Sequence, residues 1–187
     1  MKGILKKWLL PLILLIASAI YFSFLRNDPD QNHATMNSIK VGDMIPIFTL
    51  PDQNGAPFDI KNVLGKKLVI YFYPKDDSPG CTREACHFRD LFEVFREADA
   101  VVIGISGQSV ESHRKFAEKY RLSFTLLSDE GNNIRKLFGV PANAFGLLPG
   151  RVTYVADRDG KVVYIFNSQA QTERHVDEAL KILKELK

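Results

Sequence analysis

The chain has 187 residues, 45% of them hydrophobic and 25% charged. This composition fits one globular domain with an extension and excludes a low-complexity or disordered chain. The net charge of +3 is carried by the amino terminus: residues 1–26 hold Lys2, Lys6, Lys7 and Arg26 and no acid, leaving 21 basic against 22 acidic residues in the remainder. That balance excludes a bulk electrostatic attraction to nucleic acid.

Residues 8–25 carry no charge and follow three lysines. As a helix they would reach about 27 Å, near the thickness of a bilayer core. The expectation is a signal anchor over residues 1–25, with one transmembrane helix at about 8–25, a polar linker over 26–38 and a folded domain over 39–187. The alternative is a signal peptide cleaved after Ala17-Ser18-Ala19, releasing a secreted domain but leaving the apolar stretch 20–25 exposed. Lysines held on the cytoplasmic side would put the folded domain on the periplasmic face of a bacterial inner membrane.

From Ile39 the pattern becomes globular. Residues 48–50 and 57–60 flank a turn at 52–55 and suggest a hairpin. Residues 68–73 form an apolar run of the kind found in central buried strands. A helix is expected over 81–97, with Cys81, Ala85, Phe88, Phe92 and Phe95 on one stripe. Residues 100–106 read as a second buried strand, and 109–120 as a helix capped by Ser109. A short strand at 124–127 and a short helix at 132–138 follow. Residues 152–156 and 161–166 form a hairpin around the turn 157–160, and a last helix starts near Thr172. The order β-α-β, a helical interlude, then β-β-α predicts an α/β sandwich with a mixed sheet of thioredoxin-like type.

The two cysteines, Cys81 and Cys86, lie in VIYFYPKDDSPGCTREACHFRD. Cys81 follows Pro79-Gly80 at a helix start, where free N–H groups and the helix dipole favour a thiolate, the form that attacks an electrophilic oxygen. Ser78 offers a hydroxyl to the sulfur or to a peroxide oxygen, and Pro74 closes the site without adding an N–H. A sulfenic acid formed at Cys81 condenses with a thiol, and Cys86 is the other thiol of the chain. Within one regular helix, however, the two Cα atoms would lie about 8.6 Å apart, beyond the roughly 7 Å a disulfide tolerates. The disulfide therefore requires the helix start to unwind.

From residue 39 to the carboxy terminus the sequence resembles the peroxiredoxins, through Pro74, Ser78 and Cys81 in the pattern Pro-x-x-x-Thr/Ser-x-x-Cys. It is most similar to the bacterioferritin comigratory protein or peroxiredoxin Q branch, which places a second cysteine five residues on. The resemblance implies reduction of hydrogen peroxide and organic hydroperoxides, with no cofactor or metal. It implies recycling by a thioredoxin-like protein reductant and a monomeric state. It also assigns Arg151, at the head of a strand, to holding the thiolate and the peroxide. Ser78 stands where threonine is commoner.

Plainer readings exist. The cysteines could form a structural disulfide, although so short a loop is a weak staple. Arg151 could be an ordinary strand-end arginine. Glu84 could pair with an active-site arginine, or merely suit a first helical turn. His33, His87, His113 and His175 lack metal-ligand spacing and read as surface residues. Rival functions on the same fold are a thiol-disulfide oxidoreductase, which usually wants Cys-x-x-Cys, a metal chaperone using both cysteines and His175, and a redox-dead binding module.

Overall fold

The computed structural model describes residues 38–143 and 148–186. The expected hairpin is present: β1 (Thr49–Pro51) pairs antiparallel with β2 (Pro57–Asp59). Its turn is closed by the Asp52 carboxylate, which accepts from the backbone N–H groups of Asn54 and Ala56 at 2.8 and 2.9 Å. One turn of 3-10 helix (Ile60–Val63), capped by the Asp59 side chain, leads into the sheet.

Five strands form that sheet. They are β3 (Lys67–Phe72), β4 (Ala100–Ser106), β5 (Thr125–Ser128), β8 (Val152–Ala156) and β9 (Val162–Asn167), in the spatial order β5-β4-β3-β8-β9. β3, β4 and β5 pair in parallel, and β8 pairs antiparallel with both β3 and β9, which is the mixed sheet expected. A small pair, β6 (Ala142–Asn143) with β7 (Leu148–Pro149), lies outside it. The helices are α1 (Pro79–Asp90), α2 (Phe92–Glu97), α3 (Val110–Tyr120), α4 (Asn133–Leu137) and α5 (Arg174–Glu185).

Alternation along β3 builds two cores, because successive strand side chains point to opposite faces. Val69 and Tyr71 join Ala85, Phe88, Phe95, Phe116, Val176 and Leu183 from the helices. Leu68, Ile70 and Phe72 face Ile45, Phe48, Ile60 and Phe138 on the other side. Every residue of β3 is buried, so it is a central strand.

The structure differs from the expectation in three places. The helix expected over 81–97 is two helices, broken at Leu91 (φ −105, ψ 11). Phe88 and Phe95, on either side of the break, are both fully buried with their rings 5.5 Å apart. His113 and His175, read as surface residues, have no exposed area. Both sit on the buried stripe of their helix, three residues before Phe116 and four before Ala179.

The third correction concerns the membrane helix. The segment 8–25 lies outside the described residues, and among the described residues no helix is long and apolar enough to cross a membrane. The longest described helices, α1 and α5, have 12 residues each. That gives about 18 Å against a bilayer core of about 30 Å. Over the described residues the fold is a thioredoxin-like α/β sandwich with a mixed sheet.

Candidate active site

The site forms where β3 leaves the sheet. The chain runs from Phe72 through residues 73–78 into α1, with Ser78 at the N-cap and Pro79 opening the helix. Cys81, third in α1, is buried, and its thiol is free. Strand register brings the arginine to it: Val152 pairs with Phe72 across the antiparallel β3–β8 ladder. Arg151, one residue earlier, therefore stands beside the exit of β3. Its Nη2 donates to Cys81 Sγ at 3.2 Å, its Nη1 donates to Glu84 Oε2, and its Nε donates to the Gln169 carbonyl at 3.4 Å. Gly80 makes room for this, since a Cβ there would meet Arg151 Nη2 and Thr172 Cγ2, both at 3.3 Å.

The other sequence-derived residues are placed more loosely. Ser78 donates its hydroxyl to the Lys75 carbonyl at 3.0 Å, which holds the loop. Pro74 is half-buried in that loop. Cys86 is half-buried and free, on the same helix as Cys81.

Two further residues belong to the site, one left open by the sequence and one not seen in it. Glu84, left open there, is buried and paired with Arg151. Arg135 of α4, which is also buried, donates from Nη2 to the Tyr73 carbonyl and from Nη1 to the Gly150 carbonyl, each at 2.8 Å. It thus ties the exit of β3 to the residue before Arg151. Gly150 itself must lack a side chain, because a Cβ would lie 2.1 Å from the Pro141 carbonyl oxygen.

Burial pushes the Glu84 carboxyl up to about 8, against the pull of Arg151. Burial works against the charge on Arg151, but Glu84 and Cys81 together raise it above the ordinary arginine value. Arg151 is therefore a fixed cation shared between the Glu84 carboxyl and the Cys81 sulfur. His175 is lowered to about 4 by burial, despite its bond to the Ser168 carbonyl. Its Nε2 donates to that carbonyl and its Nδ1 accepts from Thr153 Oγ1, both at 2.8 Å. With both nitrogens engaged, His175 is a poor candidate for the metal ligand that a chaperone reading needs.

These shifts predict an unusual stability profile. Glu84 holds a proton in the folded state between its ordinary 4.5 and about 8. Its contribution is full below 4.5 and lost as pH rises through about 8. His175 excludes a proton between its ordinary 6.5 and about 4, so its contribution is full above 6.5 and lost as pH falls through about 4. The two slopes oppose each other from 4.5 to 6.5, and above 6.5 the Glu84 slope is no longer opposed by His175. Stability should then fall as pH rises toward about 8. Denaturant unfolding of the native chain and of Glu84→Gln checks this, and an equal decline in the variant contradicts it.

The site thus sets a buried cysteine at a helix start against an arginine at the head of a neighbouring strand of a thioredoxin-like sheet. Residues 41–165 match the AhpC/TSA family. The chain belongs to that family and is a thioredoxin-dependent peroxidase, an oxidoreductase. It is 52% identical over 159 residues to the chloroplastic peroxiredoxin Q of Sedum lineare, covering 85% of this chain and 86% of that one. The crystal structure of peroxidoxin BcpB from Mycobacterium tuberculosis superposes with a TM-score of 0.74 at 40% identity, covering 80% and 99% of the two chains. The bacterioferritin comigratory protein of Xanthomonas campestris, described by its alkyl peroxide reduction activity, gives a TM-score of 0.68 at 33% identity, covering 74% and 90%. The expected placement on a bacterial inner membrane is corrected by these relatives. Those at 52–56% identity are chloroplastic peroxiredoxins Q, and no described helix can span a bilayer.

Proposed function

We propose that the chain reduces hydrogen peroxide and organic hydroperoxides through Cys81, with Cys86 resolving the product as an intramolecular disulfide. The observation that carries this reading is the Arg151 guanidinium on the Cys81 sulfur, 3.2 Å away at the first turn of a helix. The Cys81 thiolate attacks the outer peroxide oxygen and the O–O bond breaks. Water or an alcohol leaves with a proton, and Cys81 becomes a sulfenic acid. The Cys86 thiolate then attacks the Cys81 sulfur and releases water. A thioredoxin-like dithiol reduces the disulfide by exchange and returns both thiols. The activity named for the Xanthomonas relative supports organic hydroperoxides as substrates. The relatives' location supports a plastid setting. Both cysteines lie on α1, so a single chain suffices for the cycle.

Resolution requires motion. Five residues along α1 put the cysteine Cα atoms about 8.6 Å apart, too far for a disulfide. The later part of the helix is pinned. Phe88 stacks on Tyr71 at 4.6 Å, Arg89 Nη1 donates to the Tyr120 carbonyl at 2.7 Å, and His87 Nε2 meets Asp177 at 2.9 Å. Unwinding should therefore involve residues 79–86 and stop before Phe88. Hydrogen exchange on both redox forms tests this. Amides 81–86 should exchange faster in the oxidised form while 88–90 stay protected. Identical exchange, with the Cys81–Cys86 bond confirmed by mass, would sink the mechanism.

A further inference from the structure

A second buried polar cluster lies beside the site and takes no part in the chemistry above. Asp76, in the loop between β3 and α1, is buried, and its carboxylate receives three side chains. Tyr73 donates its hydroxyl to Oδ1 at 2.8 Å, Ser112 donates to Oδ2 at 2.6 Å, and His113 Nδ1 lies 2.9 Å from Oδ2. The phenol of Tyr73, raised well above its ordinary value by burial and by Asp76, remains a donor. His113 has no exposed area. Its Nε2 faces the Leu127 carbonyl at 3.2 Å and the Ser106 hydroxyl at 3.5 Å.

Donor counting restricts this cluster. A carbonyl can only accept, so Nε2 carries a hydrogen. Nδ1 faces Oδ2 at 2.9 Å, so the ring is held at both nitrogens. The result is a hydrogen bond between two buried groups, costly to leave unmade. It joins α3 to the loop that carries Pro74 and delivers Cys81. The next residue, Asp77, has a left-handed backbone (φ 56) and is held to α3 by Lys119 Nζ at 2.7 Å. The loop is further held by the Ser78 hydroxyl on the Lys75 carbonyl and by Arg135 on the Tyr73 carbonyl, but the Asp76–His113 contact is the buried one that joins it to α3.

We infer that the Asp76–His113 pair is a latch that positions Cys81 for peroxide by fixing residues 73–78 against α3. The bland alternative is a satisfied core histidine that stabilises the fold without affecting the site. This inference rests on Cys81 being the attacking residue, so Cys81→Ser is run as a control. Activity retained in that control would show that the reading of the nucleophile has failed, whatever His113 does.

The test compares His113→Leu, which removes the donor, with His113→Asn, whose amide nitrogen takes the place of Nδ1. Two rates are read on the folded full chain: first-turnover peroxide consumption and alkylation of Cys81 by iodoacetamide. Misplacing a reacting group by about an ångström costs on the order of a hundredfold. His113→Leu should therefore lose about that much in peroxide rate, while alkylation, which needs no bound geometry, changes less than about twofold. His113→Asn should recover most of the loss. If His113→Leu does not fold, Ser112→Ala decides: it removes one partly exposed donor to Asp76 and should slow peroxide consumption several-fold with alkylation unchanged. An unchanged peroxide rate in the folded variant, or a parallel fall in both rates, overturns the latch.

Discussion

Replacing Cys81 with serine should reduce peroxide consumption to the uncatalysed rate while leaving the fold intact. A serine hydroxyl is nearly isosteric with the thiol and can accept the Arg151 hydrogen bond, so packing around this buried position is kept. It has no accessible anionic form near neutral pH and so cannot attack the peroxide oxygen. Cys86 cannot substitute, because Arg151 divides its donors among Cys81, Glu84 and Gln169. The expected result is a cooperative unfolding transition like that of the native chain, with no peroxide turnover above buffer. Residual turnover that depends on Cys86 would reverse the assigned roles.

Arg151→Met should cost on the order of 10²–10³ in kcat/KM, the usual effect of deleting one preorganised donor to developing charge. The fork of the guanidinium serves two acceptors at once, Cys81 and Glu84. In the variant both buried groups lose their cation, and Glu84, already raised to about 8 by burial, is driven further toward its neutral form. That protonation spares the variant an isolated buried charge and should keep it folded. Arg151→Lys restores the charge but not the bidentate geometry, so it should recover only part of the rate. Steady-state kinetics on the three proteins would test this. Full activity in Arg151→Lys would mean that charge alone, and not the fork, is what the site requires.

The parts of this structure written in local pattern were legible in the sequence. The apolar run of β3, the strand at residues 100–106 and the cap of α3 by Ser109, which accepts from the Ser112 N–H at 3.3 Å, all depend on neighbours in the chain. Cys81 was singled out through the motif and Arg151 through the family resemblance, and the pairing of Val152 with Phe72 explains why that arginine reaches the cysteine. What was not legible depends on contacts distant in sequence. Arg135 matters because the fold brings the carbonyls of Tyr73 and Gly150 to it, and no spacing in the chain announces a backbone acceptor. The break at Leu91 was hidden because Phe88, Phe92 and Phe95 continue one helical stripe across it. His113 and His175 did carry a signal, their spacing to Phe116 and Ala179, but histidine alone does not distinguish a buried hydrogen-bonded ring from an exposed one.

The central claim is that peroxide is reduced at Cys81 and the product resolved by Cys86. The most direct measurement is treatment of the reduced full chain, and of its Cys86→Ser variant, with one equivalent of hydrogen peroxide, followed by thiol counting and peptide mass mapping. The account predicts that the native chain loses both thiols and gains a bond between Cys81 and Cys86. The variant should consume one equivalent, hold a sulfenic acid at Cys81 and then stall without an external thiol. Peroxide consumption that leaves Cys81 reduced, or a first turnover lost in Cys86→Ser but kept in Cys81→Ser, would contradict it.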